Sequence, residues 1–117
     1  MPREHRTAKA LRVLLVPPDP ALAVLLGLQP DIEVVPTPVQ RPHVALVDSV
    51  AAVADVADQA PECRTLLLAG SAHPGLWDTA RAVGAAGLVL RDGPVEDLAD
   101  AVRRASMGDT VVDPALG

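Results

Sequence analysis

Val44-Ala45-Leu46-Val47-Asp48 is four aliphatic residues closed by one acid. The run has no polar residue to turn toward water, so it reads as a strand covered on both faces. Four similar runs accompany it: Leu11–Val16, Ile32–Val35, Thr65–Leu68 and Leu88–Leu90. Helix-compatible segments separate most of them. Asp19-Pro20 reads as an N-cap followed by proline at the first helical position, opening a helix over Ala21–Leu28. Further helices are expected at Val50–Gln59, ended by Pro61, and at Pro74–Val83, ended by Gly84. This alternation predicts an α/β domain built on a parallel sheet.

The last helix is the most clearly marked. Pro94 stands at its first position, Glu96 and Asp97 follow where the helix dipole favours acids, and Arg103 and Arg104 lie near its end. Val95, Leu98, Val102 and Ala105 repeat at helical spacing, and Gly108 is a left-handed stop. Val111-Val112-Asp113-Pro114 then reads as an extended exit.

One connection breaks the pattern. Between Val35 and Val44 lie eight residues, Pro36 to His43, with prolines at 36, 38 and 42. A parallel crossover ordinarily takes a dozen or more residues with a helix, and three prolines exclude an α-helix here. An extended octapeptide reaches ~26–29 Å, while the return needs ~19 Å. The helix between strands two and three is therefore expected to be missing. One sheet face should be left partly uncovered for a partner or a second copy, unless a neighbouring helix repacks over it.

Composition narrows the function. The 117 residues fit one domain. There is no Phe or Tyr, and Trp77 is the only aromatic residue, so the core must be aliphatic and Trp77 is expected to pack. A base-stacking surface is excluded, and a net charge of −5 opposes a phosphate backbone. Cys63 is alone, which is consistent with a reducing cytosol. No signal peptide and no membrane span is read, and residues 1–10 are expected to form a flexible tail. His5, His43 and His73 have no metal-ligand spacing. Ser71, His73 and Asp48 lack the context of a hydrolase nucleophile, and Gly70 to Gly75 lacks the phosphate-loop pattern. No catalytic set, no metal site and no cofactor is expected.

In an open parallel sheet, ligands bind beyond the carboxyl ends of the strands. Here those ends carry Pro17-Pro18, then Asp48, then Ala69-Gly70, then Arg91. They offer one acid, one base and little else.

Arg81 to Asp92, Pro94 to Arg104 and Gly108 to Leu116 together resemble the C-terminal third of bacterial response-regulator receiver domains of the LuxR/NarL type. Pro30 to Val35 and Arg41 to Asp48 are similar to two further stretches of that family. The resemblance implies a flavodoxin-like, receiver (CheY-like), doubly wound, five-stranded parallel sheet in the order 2-1-3-4-5 over residues 11–117. It further implies that Asp48 stands at the phosphoacceptor position. Pro17 and Pro18 stand where the family has its magnesium-binding acids, with Asp19 the one acid left on that loop. Ala69 replaces a hydroxyl residue and Arg91 replaces a lysine. An Asp48–Arg91 ion pair is expected to close this degenerate pocket. The expected role is signal input and homodimerisation, through the first and last helices, in an atypical cytoplasmic transcription regulator that needs no phosphorylation. DNA would be reached only through an output domain beyond residue 117. Two alternatives stay open: a receiver sensing a small molecule over Asp48 and Arg91, or one still phosphorylated on Asp48. A protein effector is a further candidate signal.

Overall fold

In the computed structural model, which describes residues 11–116, Val44–Val47 is strand β3 in the interior of the sheet, and all of its residues are buried. The expected tail at residues 1–10 lies outside the described residues. Strand β1 (Leu11–Val16) lies on one side of β3 and carries β2 (Ile32–Val35) at the edge. Strand β4 (Arg64–Ala69) lies on the other side, followed by β5 (Gly87–Leu90). Every pairing is parallel, as expected. The expectation of five strands is corrected: the exit segment forms a sixth, β6 (Val111–Val112), paired with Gly87 and Leu88. Glycine at 87 permits this, because a Cβ there would run into the Val111 carbonyl and sit 2.7 Å from Leu66.

Helices α1 (Pro20–Gly27) and α4 (Val95–Ser106) cover one face. Helices α2 (Val50–Gln59) and α3 (Leu76–Ala82) cover the other. Strand alternation divides the side chains: Val13 and Leu15 pack under α1 and α4, and Leu14 under α2. Trp77 packs partly buried on the α2–α3 side. None of the helices among the described residues is long and apolar enough to cross a membrane.

Local chemistry sets the helix ends. Asp19 caps α1 through Leu22 N–H at 3.1 Å, and Ser49 caps α2 through Ala52 N–H at 3.1 Å. Helix α3 begins two residues later than expected, since Gly75 adopts the left-handed conformation (φ 76°) and cannot belong to the helix. Pro94 is the N-cap of α4 rather than its first residue, and Gly108 is left-handed (φ 95°) just beyond its end.

No α-helix separates β2 from β3. The proline segment makes one 3-10 turn, Pro38–Gln40, and returns. The expected bare face is largely absent, because Leu14 is 4% and Val35 is 3% exposed. The segment folds back over the sheet, held by Arg12 Nε, which donates to the carbonyls of Gln40 (2.9 Å) and Arg41 (3.0 Å). A gap of about 260 Å³ remains between Pro36 and Pro38 on one side and Asp55, Val56 and Gln59 of α2 on the other. Toward the edge on this face the strands carry Arg12 and Glu33, which are register partners, so no apolar surface needs cover there.

His43 closes the entry to β3. Its ring Nδ1 accepts from the Arg12 backbone N–H at 2.9 Å while the His43 backbone N–H donates to the Arg12 carbonyl at 2.8 Å. Burial, and then the Arg12 charge, lower its pKa below 6.5. The unfolded chain therefore takes up this proton first, and His43 favours folding fully only above about pH 6.5, its share falling as the pH drops below that. Denaturant unfolding at about pH 7.5 and 5.5 is expected to show this loss. In His43→Asn, which keeps an acceptor but cannot titrate, the pH dependence should shrink. A second substitution probes β6: Gly87→Ala is expected to cost about 1–3 kcal/mol by overpacking, read as a lower midpoint of unfolding.

Candidate functional site

The carboxyl ends of β1 and β3, with the residues just after β5, surround a cleft of about 360 Å³. Its rim carries Pro17, Pro18, Asp19, Asp48, Arg91 and Asp92, over a floor that includes Leu15, Leu46 and Leu68. Of the residues singled out from sequence, Pro17, Pro18, Asp19, Asp48 and Arg91 are therefore brought together. Ala69 is not. Its position in β4 turns its methyl to the opposite face, where it packs at 7% exposure in the α2–α3 cluster.

The expected Asp48–Arg91 ion pair does not form. Asp48 is exposed, and no Arg91 nitrogen lies within 4.0 Å of its oxygens. Two local contacts draw Arg91 elsewhere. Its backbone N–H donates to the Ala69 carbonyl at 2.8 Å, which fixes where the side chain starts. The guanidinium then lies over Gly70, in the space a side chain at 70 would fill, and its Nε is 3.8 Å from Asp92. The Arg91 side chain is 54% exposed, so a pair with Asp48 would bring little stabilisation to offset the ordering of a long side chain. Sequence reading missed Asp92 on the cleft rim and, beside the cleft, the effect of Gly70 on Arg91. Asp92 was legible as the acid adjoining Arg91; Gly70 was not, since its effect is the absence of a side chain.

The donor set is a poor fit for magnesium. Mg²⁺ takes near-octahedral oxygen ligation, using one or two carboxylates together with waters. Pro17 and Pro18 offer no side-chain oxygen, and the Asp19 carboxylate caps α1. Among the described residues no three His, Cys, Asp or Glu side chains come together in a way that could hold a metal ion. Three carboxylates on the rim against one guanidinium also make the cleft unfavourable to an anion such as a phosphoryl group. Elsewhere, burial raises the Cys63 pKa to about 11, so this thiol is unreactive. Ser71 Oγ lies 3.3 Å from His73 Nε2 in an exposed loop, and neither residue borders the cleft.

No protein-family model matches the chain. Its fold is shared with response-regulator receivers. The response regulator ChrA of a heme-sensing two-component system superposes with a TM-score of 0.72 at 22% identity, over 92% of this chain and 62% of that one. The isolated receiver domain of RcsB from Salmonella enterica serovar Typhimurium gives 0.74 at 15% identity, over 90% of this chain and 94% of that one. A LuxR-family DNA-binding response regulator from Staphylococcus aureus gives 0.69 at 14% identity, over 82% and 98%. In sequence, 53 residues are 40% identical to the transcriptional regulatory protein YvfU of Bacillus subtilis strain 168. That match spans 45% of this chain and 26% of YvfU.

If Asp48 and Arg91 are uncoupled, Asp48→Asn and Arg91→Gln should be additive. Their double-mutant cycle is expected to give a coupling within about 0.5 kcal/mol in denaturant unfolding; a clearly larger value would restore the ion pair.

Proposed function

We propose that this chain is the signal-receiving domain of a bacterial response regulator that controls transcription, and that it passes its signal without phosphoryl transfer to Asp48. The parallel receiver fold and the similarity to YvfU support the first part. One observation carries the second. The loop leaving β1, where a phosphorylated receiver would need metal-binding carboxylates, presents Pro17 and Pro18, and Asp19 beyond them is engaged with Leu22 N–H. Without a cation, charge on the transferring oxygens would be left to Arg91, which is folded over Gly70 toward Asp92.

On this reading the domain acts in the cytoplasm by homodimerising, and it presents an attached output domain to DNA. Its own acidic surface is unsuited to DNA. Incubation with acetyl phosphate and Mg²⁺ tests the reading. The expected result is an intact mass without a phosphoryl adduct and an unchanged oligomeric state. An adduct present in the wild type and lost in Asp48→Asn would establish a working phosphoacceptor and sink the proposal.

A further inference from the structure

Helix α1 reads Pro20-Ala21-Leu22-Ala23-Val24-Leu25-Leu26-Gly27 and has no polar side chain. Leu26 is fully buried beneath it, with Leu22 and Ala23 beside it. On the outside, Val24 is 66%, Leu25 46% and the following Leu28 74% exposed. A helix that is apolar all round ordinarily has cover on all sides. Beside this ridge lies a largely apolar groove of about 720 Å³, between α1 and the edge strand β2. Its walls include Leu15, Ala23, Gly27, Ile32 and Val34. Gly27 deepens it, since among the described residues nothing lies within 4 Å of the place a Cβ would take. Helix α4 is the opposite case: its outer positions are Glu96, Asp97, Asp100 and Arg104, all exposed.

We propose that a second copy of this chain fills the groove, with the two α1 helices antiparallel about a two-fold axis. The Val24–Leu28 ridge of each copy then lies in the α1–β2 groove of the other. The inference rests on the dimerisation part of the function proposed above. It moves the contact from the seam of the first and last helices to α1 and the β2 edge.

Two observations select a second copy. A two-fold interface needs one patch that complements itself, and here ridge and groove lie side by side on one patch. The two ends of α1 also carry complementary groups, a carboxylate at one and an arginine, already paired with Asp31, at the other. Asp19 is exposed at the N-terminal end. Arg103 is held at the C-terminal end, by Asp31 (2.8 and 3.0 Å) and Gln29 (2.8 Å). Among the described residues these contacts use three of the five guanidinium N–H donors. Antiparallel packing of helices ~12 Å long brings each Arg103 toward Asp19 of the partner subunit and sets the helix dipoles head to tail.

The test is sedimentation and light scattering of the whole chain across concentration, with circular dichroism to confirm folding. The wild type is expected to dimerise. Val24→Glu and Leu28→Glu, both at exposed positions, should each weaken the dimer by about a hundredfold or more, since the two-fold axis buries each new charge twice. Gly27→Leu, which fills the groove without adding charge, should weaken it as well. Arg104→Glu should leave it unchanged. A dimer indifferent to the α1 substitutions but broken by Arg104→Glu would overturn this interface while keeping dimerisation. A monomer at every concentration would remove both. A monomer that dimerises only once residues 1–10 are deleted would give the groove to the chain's own N-terminal segment, and would also overturn the proposal.

Discussion

A parallel sheet must be covered on both faces, and the rest of this structure follows from how that cover is supplied. Strands β1, β3, β4 and β5 are almost wholly aliphatic, so bare sheet would be costly in water. On the α1–α4 side two helices suffice. On the other side the crossover from β2 to β3 contributes no α-helix, and three cheaper devices stand in. The proline segment lies back over the strands under the Arg12 side chain. The outer strands carry Arg12 and Glu33 on this face, so part of it needs no cover. Beyond β6 the chain rounds the sheet edge, and Leu116 is buried at 7% exposure in the α2–α3 cluster. The Asp113 carboxylate, accepting from Ala115 N–H at 2.8 Å, shapes the turn that points Leu116 inward.

Most of this was legible in the residues, and the exceptions share a cause. Aliphatic runs revealed β1 to β5, because a strand buried on both faces has almost no choice of residue type. Asp19-Pro20 revealed the start of α1, because capping is local chemistry. What stayed hidden depended on contacts between residues distant in sequence, or on a missing atom. Val111-Val112 is too short to declare itself a strand, and it becomes one because Gly87 lets its carbonyl approach. Arg91 and Asp48 were expected to pair as opposite charges across the pocket. The vacancy over Gly70 decided otherwise. Ala69 was placed in the cleft by its position at the end of a run, yet strand parity turns it to the other face along with Thr65 and Leu67.

The cleft is thus shaped more by backbone than by side-chain chemistry. Its acids are spread around the rim, and the one base is drawn toward Asp92. An exposed carboxylate such as Asp48 remains hydrated and needs no partner, so the fold places no demand on it. The link between cleft and chain end is nevertheless short. Ala69 and Gly70 run through one loop into α3, and α3 lines a cavity together with Leu116. The segment that ends the described chain therefore rests on the element that leaves the cleft.

Helix α1 is where composition and cover disagree most. A chain of 117 residues with a single aromatic must build its core from many small aliphatic side chains, and it does so economically elsewhere. Helix α4 buries Leu98, Ala99, Ala101, Val102 and Ala105 and turns acids and arginines to water. Helix α1 needs Leu22, Ala23 and Leu26 for the same purpose, and the core makes no use of Val24, Leu25 or Leu28. Glutamate, lysine or arginine at those positions would form helix as well as leucine and better than valine, and would keep the surface hydrated. Three large aliphatic side chains beside an apolar groove are therefore not accounted for by folding, and contact with another surface is the physical role left to them.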